Sequence, residues 1–204
     1  MAAILEPPLE QARTATQEQQ SALRLFTVAE YHTMIEADIF NEKDRVELWK
    51  GVVVKMSPKG KRHAAATDRA TKVFIKLLGD RVIVRNQNPI VLDDLSEPEP
   101  DIVLAAPQEK EYTDRLPQPS DVLLVLEVAD TSLKHDRDSK STSYAKAGIV
   151  QYLVLKLKTS ELIDFREPSP EGYRSYKTLR ANETFSFVAF PEVRIQVSEL
   201  LPPE

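Results

Sequence analysis

The amino-acid sequence predicts a mixed α/β domain, an α+β arrangement in which helices pack on a mixed β-sheet, within a chain of 204 residues. Two observations lead to this fold class. The run at 122–128 is too uniformly apolar to alternate, which is typical of a central strand covered on both faces. The segments 64–78 and 133–147 have helical spacing and end beside a glycine, so helices flank the short β-rich runs.

The N-terminal region divides into a tail and the start of the domain. Residues 1–22 are rich in Gln, Ala, Thr, Pro and Glu and lack periodicity, which predicts a disordered tail. The acidic residues and prolines at the start also differ from the basic and apolar residues of a signal peptide. Thr27 and Glu30 form a T-x-x-E capping box, so we expect the first helix to begin there, within a single domain at 23–204.

The middle of the chain is predicted to combine short strands with one long helix. Two β-rich runs flank Lys50-Gly51, which predicts a tight hairpin in which Gly51 supplies a positive φ. The helix at 64–78 is expected to end at Gly79. Short strands should follow at 82–85, 88–92 and 101–105, before a proline-bearing loop at 106–120.

The C-terminal half completes the predicted sheet, and gives the element order α-β-β-α-β-β-β-α-β-β-β. Gly148 can close the helix at 133–147, and its cap can be Asp130, Thr131 or Ser132. The last residues read as an extended piece with one helical turn. Further strands are expected at 150–156, 161–166 and 173–178.

Composition and charge restrict the class of protein. The 42% of hydrophobic and 29% of charged residues are typical of a soluble globular protein, and no apolar run has the length of a membrane span. Cysteine is absent, which excludes disulfides, zinc-thiolate sites and thiol nucleophiles and fits the reducing cytoplasm, where we expect the protein. The net charge of -5 argues mildly against a nonspecific nucleic-acid binder.

The charges are unevenly distributed along the chain. Residues 55–76 are strongly basic and contain one acid, Asp68, whereas the nine residues at 93–101 contain five carboxylates. Taken alone, each stretch is most simply interpreted as solvated surface.

Two carboxylates mark the candidate site. Asp101 follows Pro100 at the start of a predicted strand, and Glu127 interrupts the apolar run, where a carboxylate is costly unless it is paired or binds a metal. If the two strands are neighbours, Asp101 and Glu127 can meet at the sheet rim, and a divalent cation would remove their repulsion. Mg²⁺ prefers such oxygen ligands, so the pattern predicts a metal site for phosphoryl chemistry.

A lysine near this pair would balance the charge of a phosphate and orient the attacking water. Ala129 stands where a Glu-x-Lys motif would place that lysine. The following helix offers Lys140 instead, on an i, i+4 stripe with Asp136, Tyr144 and Ala147. If this stripe faces the strand ends, the Lys140 ammonium reaches the acidic pair.

Three segments, "PDIVL", "LLVLEV" and "HDRDSKSTSYAKAGIVQYLVL", resemble the Uma2 family, also called DUF820, of PD-(D/E)xK-like endonucleases. The resemblance extends from about Leu25 to Leu201, and Tyr144 to Ile149 match the family's Tyr-Ala-x-Ala-Gly-Ile marker. It implies a restriction-endonuclease-like core, in which a central mixed sheet is flanked by helices and preceded by a β-hairpin. It also implies Mg²⁺ or Mn²⁺ at the acidic pair.

The resemblance further implies a set of catalytic residues, carried over from the matching motifs. They are Asp101 and Glu127 as metal ligands, Lys140 as a lysine displaced to the helix, Glu47 from the hairpin, and His63 at the entry of the long helix. Gln87, the polar residue of the third strand, is a possible further site residue.

The chain departs from the family pattern at two places. The family's Glu-Val-Leu-Ser-Pro-Ser is here Glu-Val-Ala-Asp-Thr-Ser at 127–132, so Asp130 adds a carboxylate that either binds metal or caps the helix. The family's Tyr-Glu-Leu-Ile-Asp-Gly-Glu is here Val-Glu-Leu-Trp-Lys-Gly-Val at 46–52, so the second acid of the hairpin is lost. Neither change removes the central Asp, Glu and Lys.

Several of these residues also have structural interpretations. Glu127 can form a purely structural salt bridge with Lys140 or Arg137, which uses the same residues as a catalytic arrangement. Tyr144 on an inward stripe fits core packing as well as a site. His63 is either a helix-start residue or a site residue that binds phosphate or moves a proton.

The leading hypothesis is a Mg²⁺-dependent endodeoxyribonuclease with DNA as its substrate. Lys59, Lys61 and Arg62 would then line the mouth of the site and contact the nucleic-acid backbone. A homodimer is expected by analogy with nucleases that cut both strands. The alternatives are an inactive nucleic-acid-binding or assembly module that keeps the fold, and a hydrolase of another phosphate substrate. His32 has no clear partner in the sequence.

Overall fold

The computed structural model describes residues 23–41, 43–129 and 134–203, and for residues 134–139 it describes the backbone alone. The predicted disordered tail at 1–22 and the proposed helix caps at 130–132 lie outside the described residues. Within the described part of the chain, no helix combines the length and apolarity needed to cross a membrane.

The described elements are three helices, ten strands and three short 3₁₀ turns. In chain order they are α1 (Val28–Glu36), β1 (Val46–Trp49), β2 (Val52–Lys55), α2 (Lys61–Leu78), a 3₁₀ turn (Gly79–Arg81), β3 (Ile83–Asn86), β4 (Ile102–Ala105), a 3₁₀ turn (Pro119–Asp121), β5 (Val122–Ala129), α3 (Lys134–Lys146), β6 (Gln151–Lys156), β7 (Glu161–Ser169), β8 (Gly172–Arg180), β9 (Thr184–Ser186), β10 (Arg194–Gln196) and a 3₁₀ turn (Val197–Glu199).

Six of the strands form one mixed sheet in the order β3-β4-β5-β6-β7-β8. The pair β5–β6 is parallel, with α3 as its crossover, and the other four pairs are antiparallel. The strands β1 and β2 form a separate hairpin, and β9 pairs with β10 in a second two-stranded ribbon. The predicted mixed sheet with packed helices and an N-terminal hairpin is therefore confirmed.

The sheet separates two apolar cores. One core lies on the α2 face, where Ala66, Ala70 and Phe74 pack against Leu126 and Leu153. The other core lies on the α3 face, and it is built around the aromatic rings of Tyr144 and Tyr152. Strand β5 contributes buried residues to both cores, which confirms the central strand predicted from the apolar run.

Local sequence signals set the first helix and the first hairpin. The Thr27 hydroxyl accepts from the Glu30 N–H at 3.2 Å while the Glu30 carboxylate accepts from the Thr27 N–H at 3.0 Å, so the predicted capping box is confirmed. Lys50 and Gly51 both have positive φ, 51° and 78°, as a two-residue hairpin turn requires. A Cβ on Gly51 would lie 2.6 Å from the Leu25 Cβ, so the close approach of Leu25 also favours glycine here.

Three elements differ from the sequence expectations: the start of one helix, a predicted strand and an additional strand. Helix α2 begins at Lys61, one turn earlier than the apolar spacing indicates, because its first turn is polar. The prediction of a strand at 88–92 is wrong: its backbone N–H groups donate to Ser96 and Pro98 in the loop before β4 and to Pro117 in the loop after it, and Pro89 has no N–H to offer. The short strand β9 was not expected, although the closing extended piece and helical turn are confirmed as β10 and the turn after it.

Candidate active site

The register of two antiparallel strands brings the two predicted carboxylates together. Ile102 pairs with Leu126, so Asp101, just before β4, lies next to Glu127 near the end of β5. The Asp101 carboxylate accepts a hydrogen bond from the backbone N–H of Val128 at 2.8 Å. The expectation that the two carboxylates meet at the end of neighbouring strands is therefore met by the structure.

Asp101 is 3% exposed and is held by three donors. Its Oδ1 lies 2.7 Å from the Lys59 Nζ, while Oδ2 lies 3.0 Å from the His63 Nε2 and accepts from the Val128 N–H. Burial alone would raise the pKa of Asp101, but the hydrogen bonds from His63, Lys59 and Val128 outweigh burial and lower this pKa to about 2. Asp101 therefore carries a negative charge at all physiological pH values.

His63 lies in the first turn of α2 and is 8% exposed. Because its Nε2 faces an ionised carboxylate, we assign the imidazole proton to Nε2. The other ring nitrogen, Nδ1, is buried and has no hydrogen-bond partner among the described residues. The structure thus places His63 both in the first turn of α2 and against Asp101, and its role in phosphate binding or proton transfer stays a prediction.

Glu127 is held from the opposite side, by α3. Its Oε1 lies 2.8 Å from the Lys140 Nζ and accepts from the Tyr144 hydroxyl at 3.2 Å. Burial raises the pKa of Glu127, the Lys140 charge opposes that effect, and the charges of Asp101 and Glu47 add to it. Burial beside Glu127 also raises the pKa of Tyr144 well above its ordinary value. Lys140 and Tyr144 of the predicted stripe therefore face the strand ends, and the side chain of Asp136 lies outside the described residues.

The hairpin contributes an aromatic wall to this side of the site. The Lys140 Nζ lies 5.9 Å from the centroid of the Trp49 ring, within the range of a cation–π contact. Trp49 also meets Tyr144 edge to face, with centroids 6.3 Å apart. Trp49 is the single tryptophan of the chain, so its fluorescence reports on this site. No motif in the sequence marks Trp49 as a site residue.

Glu47 on β1 extends the acidic cluster. It is 9% exposed, and its Oε2 accepts from the backbone N–H of Glu99 at 3.0 Å. Burial and then the Glu47 charge raise the pKa of Glu99. The sequence does not single out Glu99 as a site residue, because it lies in an acidic stretch that is most simply interpreted as solvated surface. Its position two residues before Asp101 is the signal that could have identified it.

The acidic stretch at 93–101 is not all solvated surface, so the simplest interpretation of it is wrong. Glu97 is 4% exposed, and its Oε2 lies 2.6 Å from the His32 Nε2 on α1. Burial raises the pKa of Glu97, and the contact with His32 opposes that shift. His32, which has no evident partner in the sequence, therefore ties α1 to the loop before Asp101.

The remaining predicted site residues are placed as follows. Lys61 and Arg62 are exposed on the first turn of α2, whereas the side chain of Lys59 is 17% exposed and turned inward to Asp101. The expectation that Gln87 lies on the third strand is wrong. Gln87 follows β3 with a φ of 51°, and its backbone N–H donates to the Asp101 carbonyl at 3.2 Å. Asp130 lies outside the described residues.

The number of carboxylates at the site limits which metal ions it could bind. Among the residues that the structure describes, no group of three or more His, Asp or Glu side chains is arranged to hold a metal ion. Asp101 and Glu127 offer two carboxylates, and Mg²⁺ commonly takes one or two carboxylates together with several waters. The acidic pair therefore suits Mg²⁺ or Mn²⁺ in its chemistry, but a metal at Asp101 Oδ1 competes with the Lys59 ammonium.

Comparisons with known proteins agree with this architecture. A crystal structure of "a putative nuclease belonging to DUF820" from Anabaena variabilis superposes with a TM-score of 0.69, covering 86% of this chain and 97% of that one at 12% identity, which shows a shared fold. No curated protein is significantly similar in sequence. Residues 28–198 match the Uma2 family, described as "Putative restriction endonuclease". The chain belongs to the Uma2 family.

Proposed function

We propose that the protein is a Mg²⁺- or Mn²⁺-dependent endonuclease that hydrolyses phosphodiester bonds in DNA. One observation carries the proposal: the buried carboxylate of Asp101 and the partly buried carboxylate of Glu127 lie side by side at a sheet rim, and each is contacted by a lysine ammonium. Acids to hold a metal and a cation to stabilise a phosphate are the groups that hydrolysis of a phosphodiester requires. Membership of a family described as a restriction endonuclease supports the same reaction.

In this proposal Asp101 and Glu127 hold the metal. When bound, the ion would lower the pKa of a coordinated water and polarise the phosphate. The protein keeps both carboxylates oriented: the Val128 N–H and His63 fix Asp101 Oδ2, and the Tyr144 hydroxyl fixes Glu127 Oε1. Such preorganisation saves the cost of arranging ligands during the reaction.

Lys140 supplies the positive charge of the site. Its side chain is 22% exposed, so its ammonium acts in a partly dehydrated environment where electrostatic interactions are stronger than in water. We assign it the role of offsetting charge that develops on the phosphoryl oxygens in the transition state. The Trp49 ring and Glu127 hold the ammonium in place for that role.

The mouth of the site offers contacts for a nucleic-acid backbone. Lys61 and Arg62 are exposed on the first turn of α2, adjacent to His63 at the acidic pair. Lysine and arginine that neutralise backbone phosphates release counterions and contribute affinity without sequence specificity. The unpaired N–H groups at the start of α2 favour the same anionic ligand. This local basic surface supports DNA as the substrate despite the net charge of -5.

Cleavage of DNA with and without metal tests the proposal. Supercoiled and linear DNA would be incubated with the wild type and with Asp101→Asn, in Mg²⁺, in Mn²⁺ and in EDTA. The proposal predicts cleavage by the wild type with metal alone and its loss in the variant, while circular dichroism shows both proteins folded. Equal, metal-independent cleavage by both proteins would contradict it, since a contaminating nuclease is indifferent to Asp101.

An inactive nucleic-acid-binding module is the second candidate function. The observation that favours it is that both Asp101 oxygens are already hydrogen-bonded by protein groups, so the acid needs no metal for its charge to be balanced. This module would bind DNA with equal affinity in Mn²⁺ and in EDTA and would not cleave it. Fluorescence anisotropy with labelled DNA separates the two functions.

We also propose a homodimer, by analogy with nucleases that cut both strands of a duplex. Two active sites related by a two-fold axis match the two antiparallel strands of DNA. Light scattering on the purified protein tests this, and a mass equal to that of one chain at micromolar concentration would contradict it.

A further inference from the structure

Lys59 occupies an unusual position for a lysine in an exposed loop. It lies in the irregular segment between β2 and α2, where Ser57, Pro58 and Gly60 are exposed. Its own side chain is 17% exposed and turns inward, so that its Nζ lies 2.7 Å from Asp101 Oδ1. The lysine therefore reaches the acidic pair from a loop and not from a helix or strand.

The two carboxylate oxygens of Asp101 accept hydrogen bonds from donors that differ in flexibility. Oδ2 accepts from His63 in the first turn of α2 and from the backbone N–H of Val128 in β5, both of which belong to regular elements. Oδ1 accepts from Lys59, whose ammonium sits at the end of a flexible four-carbon stem. The donor at Oδ1 can therefore leave without disturbing a helix or a strand, and the donors at Oδ2 cannot.

We propose that Lys59 is a built-in counter-cation of the metal site, which a divalent cation displaces from Asp101 Oδ1 when it binds. The inference rests on the metal-dependent function proposed above. An ammonium and a divalent ion compete for one carboxylate oxygen, since two cations at that separation repel strongly in a partly buried site. In the metal-free protein, Lys59 balances the charge of a carboxylate that is 3% exposed, which would otherwise be buried unpaired.

Lys140 does not share this role, although it contacts the other carboxylate. Its stem starts from α3, and its ammonium contacts both Glu127 Oε1 at 2.8 Å and the Trp49 ring at 5.9 Å. A lysine with an aromatic contact and a helical backbone keeps its place beside Glu127 Oε1 when a cation binds between Glu127 and Asp101. The site thus pairs one exchangeable lysine with one fixed lysine.

The loop around Lys59 offers the displaced ammonium another charged environment. Lys59 lies next to the exposed Lys61 and Arg62, and within electrostatic range of the half-buried Glu99. Once freed, it adds a third positive charge to the mouth where we place the DNA backbone. Metal binding and phosphate binding are then coupled through this one side chain, and each ligand should strengthen the binding of the other.

Calorimetric titration with Mn²⁺ tests the inference on three proteins: the wild type, Lys59→Met, and Lys72→Met as a matched control on the exposed surface of α2. Removing the competing ammonium should tighten Mn²⁺ binding by about tenfold or more, equivalent to about 1.4 kcal/mol, whereas the control should bind as the wild type does. Melting curves give a second readout: Lys59→Met should melt below the wild type in EDTA, and saturating Mn²⁺ should remove the difference.

The outcomes separate the inference from the proposed function. Equal Mn²⁺ affinity of the wild type and Lys59→Met overturns the inference and leaves the metal-dependent function standing. If Lys59→Met binds Mn²⁺ and the other two proteins do not, the inference is supported, because the Lys59 ammonium then prevents metal binding. If none of the three proteins binds Mn²⁺ at millimolar concentration, both the inference and the metal dependence fail. Should Lys59→Met not fold, Lys59→Gln offers a neutral side chain that can still hydrogen-bond Asp101.

Discussion

The two carboxylates of the site lie side by side on neighbouring strands but are stabilised in opposite ways. Asp101 accepts hydrogen bonds from a lysine, a histidine and a backbone N–H, and these outweigh burial and lower its pKa. Glu127 receives a lysine and a tyrosine hydroxyl, and burial together with two acidic neighbours still raises its pKa. Its surroundings thus favour the ionised form of Asp101, whereas burial disfavours the ionised form of Glu127.

The difference follows from the elements that surround each acid. Asp101 is enclosed by a loop, the first turn of α2 and a strand backbone, all of which present N–H donors. Glu127 faces the apolar core of α3, among the rings of Tyr144 and Trp49. A carboxylate whose charge its surroundings disfavour is expected where function requires it, so Glu127 supports the active site that we propose at this rim more strongly than Asp101 does.

Lys140→Met should have the largest effect, because it removes the charge on the fixed side of the site. We expect the rate of metal-dependent DNA cleavage to fall by about 100- to 1000-fold, the usual loss for one electrostatic stabiliser of a transition state. Single-turnover cleavage assays would measure it, with Lys72→Met as the surface control. A variant that cleaves as fast as the control would show that Lys140 is a structural partner of Glu127 alone.

Neutralising the two carboxylates should have unequal effects on the free energy of unfolding at pH 7. Asp101→Asn loses the favourable interactions that lower the pKa of Asp101, and should reduce the free energy of unfolding by about 2 kcal/mol. Glu127→Gln removes a charge that burial disfavours, and should leave stability unchanged or raise it by up to about 1 kcal/mol. Urea unfolding measures both, and an equal loss in the two variants would contradict the comparison.

The pH dependence of stability should identify Asp101. Its pKa is about 2 in the folded protein, below the unfolded value of about 3.9, so the unfolded state takes up the proton first as the pH falls. The stabilisation is full above pH of about 4, and about 2 kcal/mol is lost as the pH approaches 2. Asp101→Asn lacks this titration, so its stability should converge on that of the wild type in acid. Parallel curves from pH 2 to 6 would refute this assignment.

The smallest effect is expected at the mouth of the site. Lys61→Ala and Arg62→Ala should each weaken DNA binding at all sequences and reduce the slope of log affinity against log salt by about 1, since each removes one phosphate contact. Anisotropy titrations at several salt concentrations measure the slope. An unchanged slope in both variants would place the DNA on another surface.

The parts of this site that the sequence predicts are those encoded locally. The strand that carries Glu127 is apolar throughout, and Lys140 and Tyr144 recur at helical spacing, so their meeting with Glu127 follows from periodicity. The encounter of Asp101 with Glu127 needed one assumption, that their strands are neighbours, and the register bears it out. The catalytic roles of these residues remain a prediction.

The parts that the sequence does not predict depend on contacts between distant segments. His32 and Glu97 are 65 positions apart, and nothing local to either one indicates the pair. Lys59 stands in a basic stretch that reads as surface, and its inward turn becomes evident with the position of Asp101, 42 residues later. An irregular loop has no hydrophobic periodicity, so its sequence does not predict which of its side chains face inward.

A crystal structure of the protein grown with Mn²⁺ tests the central claim most directly, because it reports the metal and Lys59 together. We expect an anomalous peak bound by Asp101 and Glu127, with the Lys59 ammonium moved away from Asp101 Oδ1 and Lys140 still beside Glu127. No peak at the acidic pair at millimolar Mn²⁺, with the Lys59 Nζ still 2.7 Å from Oδ1, would contradict it.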